Sequence, residues 1–206
     1  RNRMRRLWKF LTTPSARASL GALLLGGAVV GAVGFQAFEF VIYETSTDAF
    51  CLVCHDQDIG LEMAGTVHFD NATGLTATCA DCHLPRAFWP KVAYKTKAGV
   101  KDAYHTMLGT ISTPEKFEAR RMHMATATWA AMNANDSREC RACHDEARWQ
   151  LSKQSEKGRE YHGPALTNGK TCIDCHKGIA HRLPRGILPD HQVPGIDPVD
   201  PEVAAR

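Results

Sequence analysis

Four copies of one five-residue motif contain every cysteine of the chain. In each copy two residues separate the cysteines and a histidine follows directly: Cys51, Cys54 and His55; Cys79, Cys82 and His83; Cys140, Cys143 and His144; Cys172, Cys175 and His176. C-x-x-C-H is typical of c-type haem attachment, in which the thiols bond to the haem vinyl groups and the histidine binds the iron. The motifs predict four covalently attached haem c groups on 206 residues.

Other uses of paired cysteines explain these motifs less well. A zinc ribbon needs no histidine directly after its second cysteine, and a thioredoxin-like C-x-x-C occurs once, in a βαβ setting. A disulfide framework would use eight cysteines in an oxidising compartment, but it does not explain the repeated histidine. Electron transfer through several haems is therefore favoured over catalysis at one centre.

The N-terminal segment predicts a membrane anchor. Residues 1–17 carry six basic residues and no acidic one, and an uncharged apolar run extends from Leu20 to Phe38. Such a run is long enough to cross most of a hydrocarbon core as a helix, and the basic flank places the N-terminus in the cytoplasm. We expect a cytoplasmic segment at 1–17, a transmembrane anchor at 18–43 in the bacterial inner membrane, and a periplasmic tetrahaem domain at 44–185.

The anchor has an alternative interpretation, and its glycines have two. A cleaved signal peptide shares these features, but the apolar run is longer than usual and no clear A-x-A site follows it. Glycines recur at positions 21, 26, 27, 31 and 34. They would let two such helices pack closely in a homo-oligomer, or they reflect the general frequency of glycine in membrane helices.

The charge balance argues against a nucleic-acid partner. The formal net charge of +3 includes the six basic residues of the N-terminal segment. Subtracting these six charges leaves −3 for residues 18–206, before any haem propionates are counted. An acidic outer domain gives no support to nucleic-acid binding, and contact with anionic lipid explains the basic N-terminus.

The outer domain contains an internal repeat. A histidine precedes a C-x-D-C-H motif by ten or eleven residues twice, at His68 and at His162, and CLVCHDQ resembles CRACHDE at the start of each half. This duplication predicts two di-haem halves, at about 46–112 and 136–185. The expected fold class is mainly α, with little regular structure beyond helices and haems in the interior, followed by a Pro-rich tail at 186–206.

Two helix starts are readable in the outer domain. Thr113 and Pro114 predict the N-cap and first turn of a helix that continues to about Ala134. The segment Asn135-Asp136-Ser137 predicts a second start. We expect the helix after it to carry the third motif and to continue to about Tyr161.

Six histidines outside the motifs are candidates for the second axial position of each iron. His68 and His162 are the strongest, because they hold matching places in the repeat. His181 follows His176 too closely to reach the same iron easily, so we expect it to serve a neighbouring haem. The weaker candidates are His105, His123 on the linking helix and His191 in the tail.

Four segments carry a resemblance to a known family. They are HFDNATGLTATCADCHLP, GTISTPEKFEARR, MNANDSRECRACH and GKTCIDCHKGIAHRLP, within residues 18–184. They resemble the NapC/NirT family of membrane-anchored tetrahaem c-type cytochromes. The resemblance implies a quinol dehydrogenase of anaerobic respiration, which takes electrons from ubiquinol or menaquinol and passes them to a periplasmic reductase or a soluble cytochrome. Nitrate or nitrite respiration is the favoured setting.

The resemblance also implies ligands of the first two haems. In some members of the family a methionine two residues after the first motif histidine binds the first iron, but this chain has Gln57 there. Either His55 itself or another group such as Met63 takes that place. A lysine ligand of the second haem corresponds to Lys95, for which His105 and a solvated helix face are the alternatives.

The resemblance places an acidic residue, here Asp102, beside the first haem and the quinol site. We expect Asp102 to accept a proton from quinol. Two other functions fit the same residues: electron flow in reverse, from a periplasmic dehydrogenase to quinone, and a conducting membrane docking subunit without a quinol site. Haem potentials decide the direction, and they depend on ligands, burial and hydrogen bonds. A terminal reductase is not favoured, since no further cofactor motif occurs.

Overall fold

The computed structural model describes residues 2–12, 18–55 and 57–187. Contacts divide the chain into two units, residues 1–45 and 46–206. In the described ranges all regular structure is helical, with no strand, which confirms the prediction of a mainly α fold. The predicted Pro-rich tail after residue 187, with His191, lies outside the described residues.

The first unit holds two helices, α1 (Asn2–Thr12) and α2 (Leu20–Glu44). The Ser19 hydroxyl caps α2 by accepting a hydrogen bond from Ala22 N. α2 is 25 residues long and is apolar and long enough to cross a membrane. None of its residues is buried. A long apolar helix with no protein cover needs an apolar surrounding, as the predicted anchor requires.

The second unit alternates short and long helices with loops. They are α3 (Asp48–Cys51), α4 (Gln57–Ala64), α5 (Cys79–His83), α6 (Phe88–Met107), α7 (Pro114–Ala134), α8 (Arg138–Arg141), α9 (Glu156–Thr167) and α10 (Cys172–Cys175), with 3-10 turns at Glu146–Arg148 and Leu151–Lys153. Each of α3, α5, α8 and α10 contains the first cysteine of one motif. The two long helices α6 and α7 lie between the second and the third motif.

The linking helix has the bounds that the sequence predicted. α7 begins at Pro114, after Thr113, whose hydroxyl accepts a hydrogen bond from Lys116 N, and it ends at Ala134. The prediction of one helix from the third motif to Tyr161 is wrong. α8 ends at Arg141, two 3-10 turns follow, and α9 begins only at Glu156.

Local hydrogen bonds explain why that long helix does not form. The Asp145 side chain accepts a hydrogen bond from Ala147 N, and the Ser155 side chain accepts one from Gly158 N. Short polar side chains of this kind bond to nearby backbone groups and compete with helix continuation. Each therefore starts a new turn where the sequence had suggested an unbroken helix.

The repeat is visible in the way its helices begin. α5 starts with a capping box in which Thr78 and Asp81 exchange hydrogen bonds between side chain and backbone. α10 starts with the same arrangement, made by Thr171 and Asp174. A capping box satisfies two backbone N–H groups that a helix start leaves without partners. The aspartate inside each C-x-D-C-H motif thus fixes the turn that carries the two cysteines.

Each half also joins its two motifs through a side chain three residues before the opening cysteine. Asp48 Oδ1 accepts a hydrogen bond from Cys79 N at 2.8 Å. Ser137 Oγ accepts one from Ile173 N at 3.1 Å. Ser137 is fully buried and has a positive φ of 48°, a backbone conformation that a non-glycine residue adopts only when its surroundings hold it there.

Aliphatic packing contributes little to the second unit. Among the described residues, the buried apolar side chains are Met63, Phe117 and Ile173. A domain of this size normally joins many such side chains in one contiguous core. Polar links between the motif-bearing helices therefore account for much of the arrangement, as expected for an interior in which haems take the place of aliphatic side chains.

Candidate haem site

The motif cysteines of successive motifs are neighbours in space. The neighbouring thiols are Cys51 and Cys79, Cys82 and Cys143, and Cys140 and Cys172. Burial, followed by the nearby Asp48, raises the pKa of Cys79 to about 12. The four motifs are thus arranged in space in the same order as in the chain.

Arg86 joins the two halves at the middle of this order. Its Nη2 atom lies 3.2 Å from Cys143 Sγ of the third motif and 3.8 Å from Asp81 Oδ1 of the second motif. α5 and α8, which carry these motifs, are also in contact. The second and third motifs therefore meet directly, although α6 and α7 separate them in the sequence.

Three pairs of histidine rings lie at similar separations. The centroids are 6.3 Å apart for His68 and His144, 6.2 Å for His83 and His181, and 5.9 Å for His162 and His176. Each pair combines one motif histidine with one histidine outside the motifs. Two imidazoles that bind one metal ion at about 2 Å each place their centroids about 6 Å apart. Each pair could therefore hold one haem iron.

The second ring nitrogen of His162, a histidine outside the motifs, supports this fit. His162 Nδ1 donates a hydrogen bond to Gln154 Oε1 at 2.7 Å, which leaves Nε2 as the free acceptor. His181 Nδ1 lies 4.0 Å from Glu62 Oε2. Metal-binding histidines usually present their other nitrogen to an oxygen of the protein, which fixes the ring for ligation. The His162 ring is thus oriented as a ligand through Nε2, whereas His181 Nδ1 has no hydrogen-bond partner.

The ring nitrogens also have suitable protonation. Desolvation and then the nearby His181 lower the pKa of His83. Burial likewise lowers the pKa of His176 and of His181. A neutral imidazole keeps the lone pair that a metal requires. These three rings are therefore in the protonation state that iron binding needs.

A cavity lies beside the third motif. Its volume is about 400 Å³, and Cys143, His144, Arg148 and Trp149 are among the residues that line it. The Trp149 ring also lies 5.0 Å from the ring of His162. The cavity therefore provides space at the third pair of cysteines and reaches towards the histidine that pairs with the fourth motif.

The first motif has a different partner. His55 Nε2 lies 3.9 Å from Asp102 Oδ2, and both side chains are nearly half exposed, 48% and 43%. This distance is too long for a hydrogen bond. Partial burial and the charge of Asp102 raise the pKa of the nearby Tyr94. The first motif thus offers an accessible imidazole opposite an accessible carboxylate.

Lys95, predicted as a ligand of the second haem, lies beside the first motif. Its Nζ atom donates a hydrogen bond to Ser46 Oγ at 3.1 Å and lies 5.8 Å from the Phe50 ring centroid. Desolvation lowers the pKa of Lys95. The second motif histidine, His83, is paired with His181 instead, and this pairing favours His181 over Lys95 as the partner at the second motif.

The other candidates have separate surroundings. His105 Nδ1 lies 3.2 Å from Thr110 Oγ1 at the end of α6, and His123 is exposed on α7. Met63 is buried on α4. Gln57 begins α4, but its side chain is outside the described part.

A comparison with protein families identifies the chain. A model described as the NapC/NirT cytochrome c family, N-terminal region, matches residues 13–186. The chain belongs to this family. The resemblance expected from the motif segments is therefore confirmed, and membership in a family of c-type cytochromes supports covalently bound haem c.

Relatives within the NapC/NirT family cover most of the chain. It is 46% identical to a tetraheme cytochrome c-type protein of Allochromatium vinosum, over 85% of this chain and 95% of the relative. It is 44% identical to the cytochrome c-type protein NapC of Escherichia coli K12, over 88% and 90%. It is 42% identical to the denitrification system component NirT of Stutzerimonas stutzeri, over 88% and 91%.

Sequence reasoning missed several side chains around the motifs of this NapC/NirT chain. Glu62 and Arg121 form a buried ion pair near His181, and Gln154 holds His162. None of them belongs to a motif, and Glu62 and Arg121 are 59 residues apart in the sequence. Gln154 lies eight residues before His162, but glutamine has too many other uses for that spacing to be a signal.

Proposed function

We propose that this chain is a membrane-anchored tetrahaem cytochrome c that oxidises quinol at its first motif and passes the electrons to a periplasmic reductase. The contrast among the motif histidines carries the proposal. Three of them are paired with another imidazole, whereas His55 is opposite Asp102. Haem irons with two imidazole ligands suit electron transfer, and the first motif keeps room for a substrate.

Four haem c groups would be held by the eight motif cysteines. Bound haem supplies one-electron transfer through its iron. The proposed axial pairs are His83 with His181 at the second motif, His144 with His68 at the third, and His176 with His162 at the fourth. At the first motif we propose His55, because its Nε2 makes no hydrogen bond to Asp102 and Met63 is buried.

The order of the motifs gives the chain a direction. The neighbouring cysteine pairs connect the first motif to the second, the second to the third, and the third to the fourth. Quinol oxidation at the first motif then leaves the fourth as the output side. Each contact between neighbouring motifs keeps successive attachment sites close together.

Asp102 is proposed as the proton acceptor of quinol oxidation. When quinol becomes quinone, two O–H bonds break, and two protons and two electrons leave. The carboxylate of Asp102 is accessible, so it can accept a proton from a quinol hydroxyl and release it to water. A positioned carboxylate of this kind contributes about 100-fold or more to a proton-transfer step.

The membrane arrangement follows from α2. We propose that it crosses the bacterial inner membrane, with the basic α1 in the cytoplasm and the haem domain in the periplasm. Arg3, Arg5 and Arg6 are exposed on α1, where they can contact anionic lipid. A homo-oligomer through the glycines of α2 stays a prediction.

The electron acceptor is proposed to be a periplasmic reductase or a soluble cytochrome. The relatives include a NapC protein and a denitrification component, which supports a place in nitrate or nitrite respiration. The quinol would be ubiquinol or menaquinol, since both release two electrons and two protons on oxidation.

The substitution Asp102→Asn tests the proposal. We expect quinol to reduce the variant about 100-fold more slowly than the native protein, because the amide cannot accept the proton. Haem content and the reduced spectrum should stay those of four haems. The measurement is stopped-flow reduction of the purified holoprotein in detergent by a soluble quinol analogue.

Asp70→Asn is the matched control, since Asp70 is exposed and lies outside the described contacts of the motifs. An unchanged rate in the Asp102 variant would remove that residue from the mechanism. Failure of the native holoprotein to be reduced by any quinol, together with reduction of quinone by the pre-reduced protein, would favour the reverse direction of flow.

A further inference from the structure

A buried cluster of charges joins three separate segments of the second unit. Glu62 of α4 receives hydrogen bonds from Arg121 of α7, at 2.7 Å and 2.9 Å, and from Arg182, which follows the fourth motif. Arg182 contributes both its Nε, at 2.7 Å, and its backbone N–H, at 3.0 Å. One carboxylate thus holds two arginines that are far from it in the sequence.

The cluster is well shielded from water and balanced in charge. The side chains of Glu62 and Arg121 are only 6% and 7% exposed, and Glu118 accepts two further hydrogen bonds from Arg121. Burial would raise the pKa of Glu62, but the hydrogen bonds from Arg121 and Arg182 outweigh it and keep that pKa below its ordinary value. Both carboxylate oxygens accept hydrogen bonds from guanidinium groups, which is the geometry of an ion pair.

Stability alone is a weak explanation for such a cluster. Taking charges out of water is costly, and apolar side chains of similar size often stabilise a protein as well or better. Buried ion pairs are best understood where they fix one particular arrangement. The relevant question is then which part of the chain this cluster fixes.

The cluster holds the segment that carries His181. Arg182 directly follows it, and Glu62 Oε2 is 4.0 Å from His181 Nδ1, a buried atom with no hydrogen-bond partner. The segment has no regular structure. Its preceding turn is tight, because Gly178 has φ +75° and a Cβ there would meet Leu183 at 2.8 Å. The turn, the cluster, the His83 ring and the Ile59 backbone surround the His181 ring.

We propose that Glu62, Arg121 and Arg182 are positioning residues, which hold His181 as the axial ligand of the second haem and keep the Glu62 carboxylate beside its ring. The inference rests on the proposed axial pair of His83 and His181. A carboxylate near a haem iron stabilises the ferric state and lowers the reduction potential. The cluster would therefore fix the ligand, and loss of the Glu62 charge would leave Arg121 and Arg182 less well compensated and raise the potential of the second haem.

Three variants of the full-length holoprotein test this role. His181→Ala identifies the haem concerned, because it removes one of the three expected bis-imidazole signals in the electron paramagnetic resonance spectrum of the oxidised protein. Glu62→Gln keeps the size of the side chain and removes its charge. Arg182→Met loosens the segment without leaving a deeply buried partner, since Arg182 is 39% exposed.

We expect Glu62→Gln to raise the midpoint potential of the haem identified by His181→Ala and to shift the low-spin signal of that haem. Arg182→Met should broaden the same signal or convert part of that haem to high spin. Arg185→Met is the matched control: this exposed arginine lies in the same segment, and its spectrum should equal that of the native protein. Haem content shows whether each variant has matured. If Glu62→Gln does not bind four haems, the spectrum of Arg182→Met tests the proposal.

The possible failures are distinguishable. If His181→Ala leaves all low-spin signals in place, the proposed axial pair is wrong. If it removes one signal, but Glu62→Gln and Arg182→Met leave the signal and midpoint of that haem unchanged, the ligand stands and the positioning role is refuted. Changes spread over all four haems would also refute it, since they indicate a general loss of structure.

Discussion

The first motif differs from the other three in what its histidine meets. His55 is nearly half exposed and is opposite the carboxylate of Asp102. The histidines of the other motifs are paired with His181, His68 and His162, at centroid separations between 5.9 and 6.3 Å. In the proposed arrangement each imidazole pair would fill both ligand positions of one iron, whereas the carboxylate opposite His55 would leave room for quinol. On this proposal identical sequence motifs would serve two tasks, and the residues outside the motifs would decide which.

The largest effect should come from removing one member of a pair. His162→Ala leaves His176 without its partner, so we expect one of the three bis-imidazole signals to disappear and one high-spin haem to appear. Transfer from quinol to an external acceptor should fall by about 100-fold or more, because the fourth motif is the proposed output. The measurements are electron paramagnetic resonance and steady-state turnover.

His123→Ala is the control for that variant, because His123 is exposed on α7 and has no partner histidine among the described ring contacts. It should leave the spectrum unchanged. A native spectrum in the His162 variant would show that the pairs are not axial pairs, and the contrast with the first motif would then lose its basis.

A smaller effect, on the Tm, should show whether side-chain hydrogen bonds stabilise each half. Ser137→Ala removes a buried hydroxyl and leaves Ile173 N without its acceptor, which costs about 1–3 kcal/mol. We expect the Tm to fall by about 2–4 °C for each kcal/mol lost. The equivalent variant in the first half, Asp48→Ala, should also lower the Tm, since it leaves Cys79 N without its acceptor.

Ser152→Ala, at an exposed position, should leave the Tm unchanged in the same thermal-melting series. Equal, negligible effects at Ser137 and Asp48 would mean that the covalent haems alone hold the motifs in each half. The parallel between the halves would then be a matter of sequence and not of stabilising contacts.

The smallest effect is expected at Lys95. Lys95→Met should leave the number of low-spin haems unchanged, because the ammonium group bonds to Ser46 beside the first motif and His83 already has a partner. The optical and resonance spectra of the oxidised protein check this. The loss of one low-spin haem would restore lysine as the ligand at the second motif, as the family resemblance implied.

The sequence indicated the motifs and the limits of α7, and it singled out His68 and His162 as proposed ligands, because each depends on spacing within a short segment. It did not indicate which motif each histidine would join. His162 pairs with the motif that follows it, but His68 pairs with His144 in the other half. That difference depends on the contact between α5 and α8, and no short sequence pattern predicts this contact.

The charged cluster was unpredictable for a similar reason. Glu62 lies 120 residues before Arg182, and neither stands in a recognisable motif. The break after the third motif was missed because Asp145 and Ser155 are acceptable within a helix by composition. Only their actual hydrogen bonds show that they begin new turns.

The capping boxes of α5 and α10 have a consequence for how the chain folds. The bonds of each box itself lie within residues 78–81 and 171–174, although Asn133 also donates hydrogen bonds to Thr171 and Asp174. A single helical turn is still unstable alone, because nucleation fixes more dihedral angles than one bond repays. Two thioether bonds to one rigid macrocycle would close such a turn permanently. For these two segments the attachment of haem would then complete the folding of the backbone.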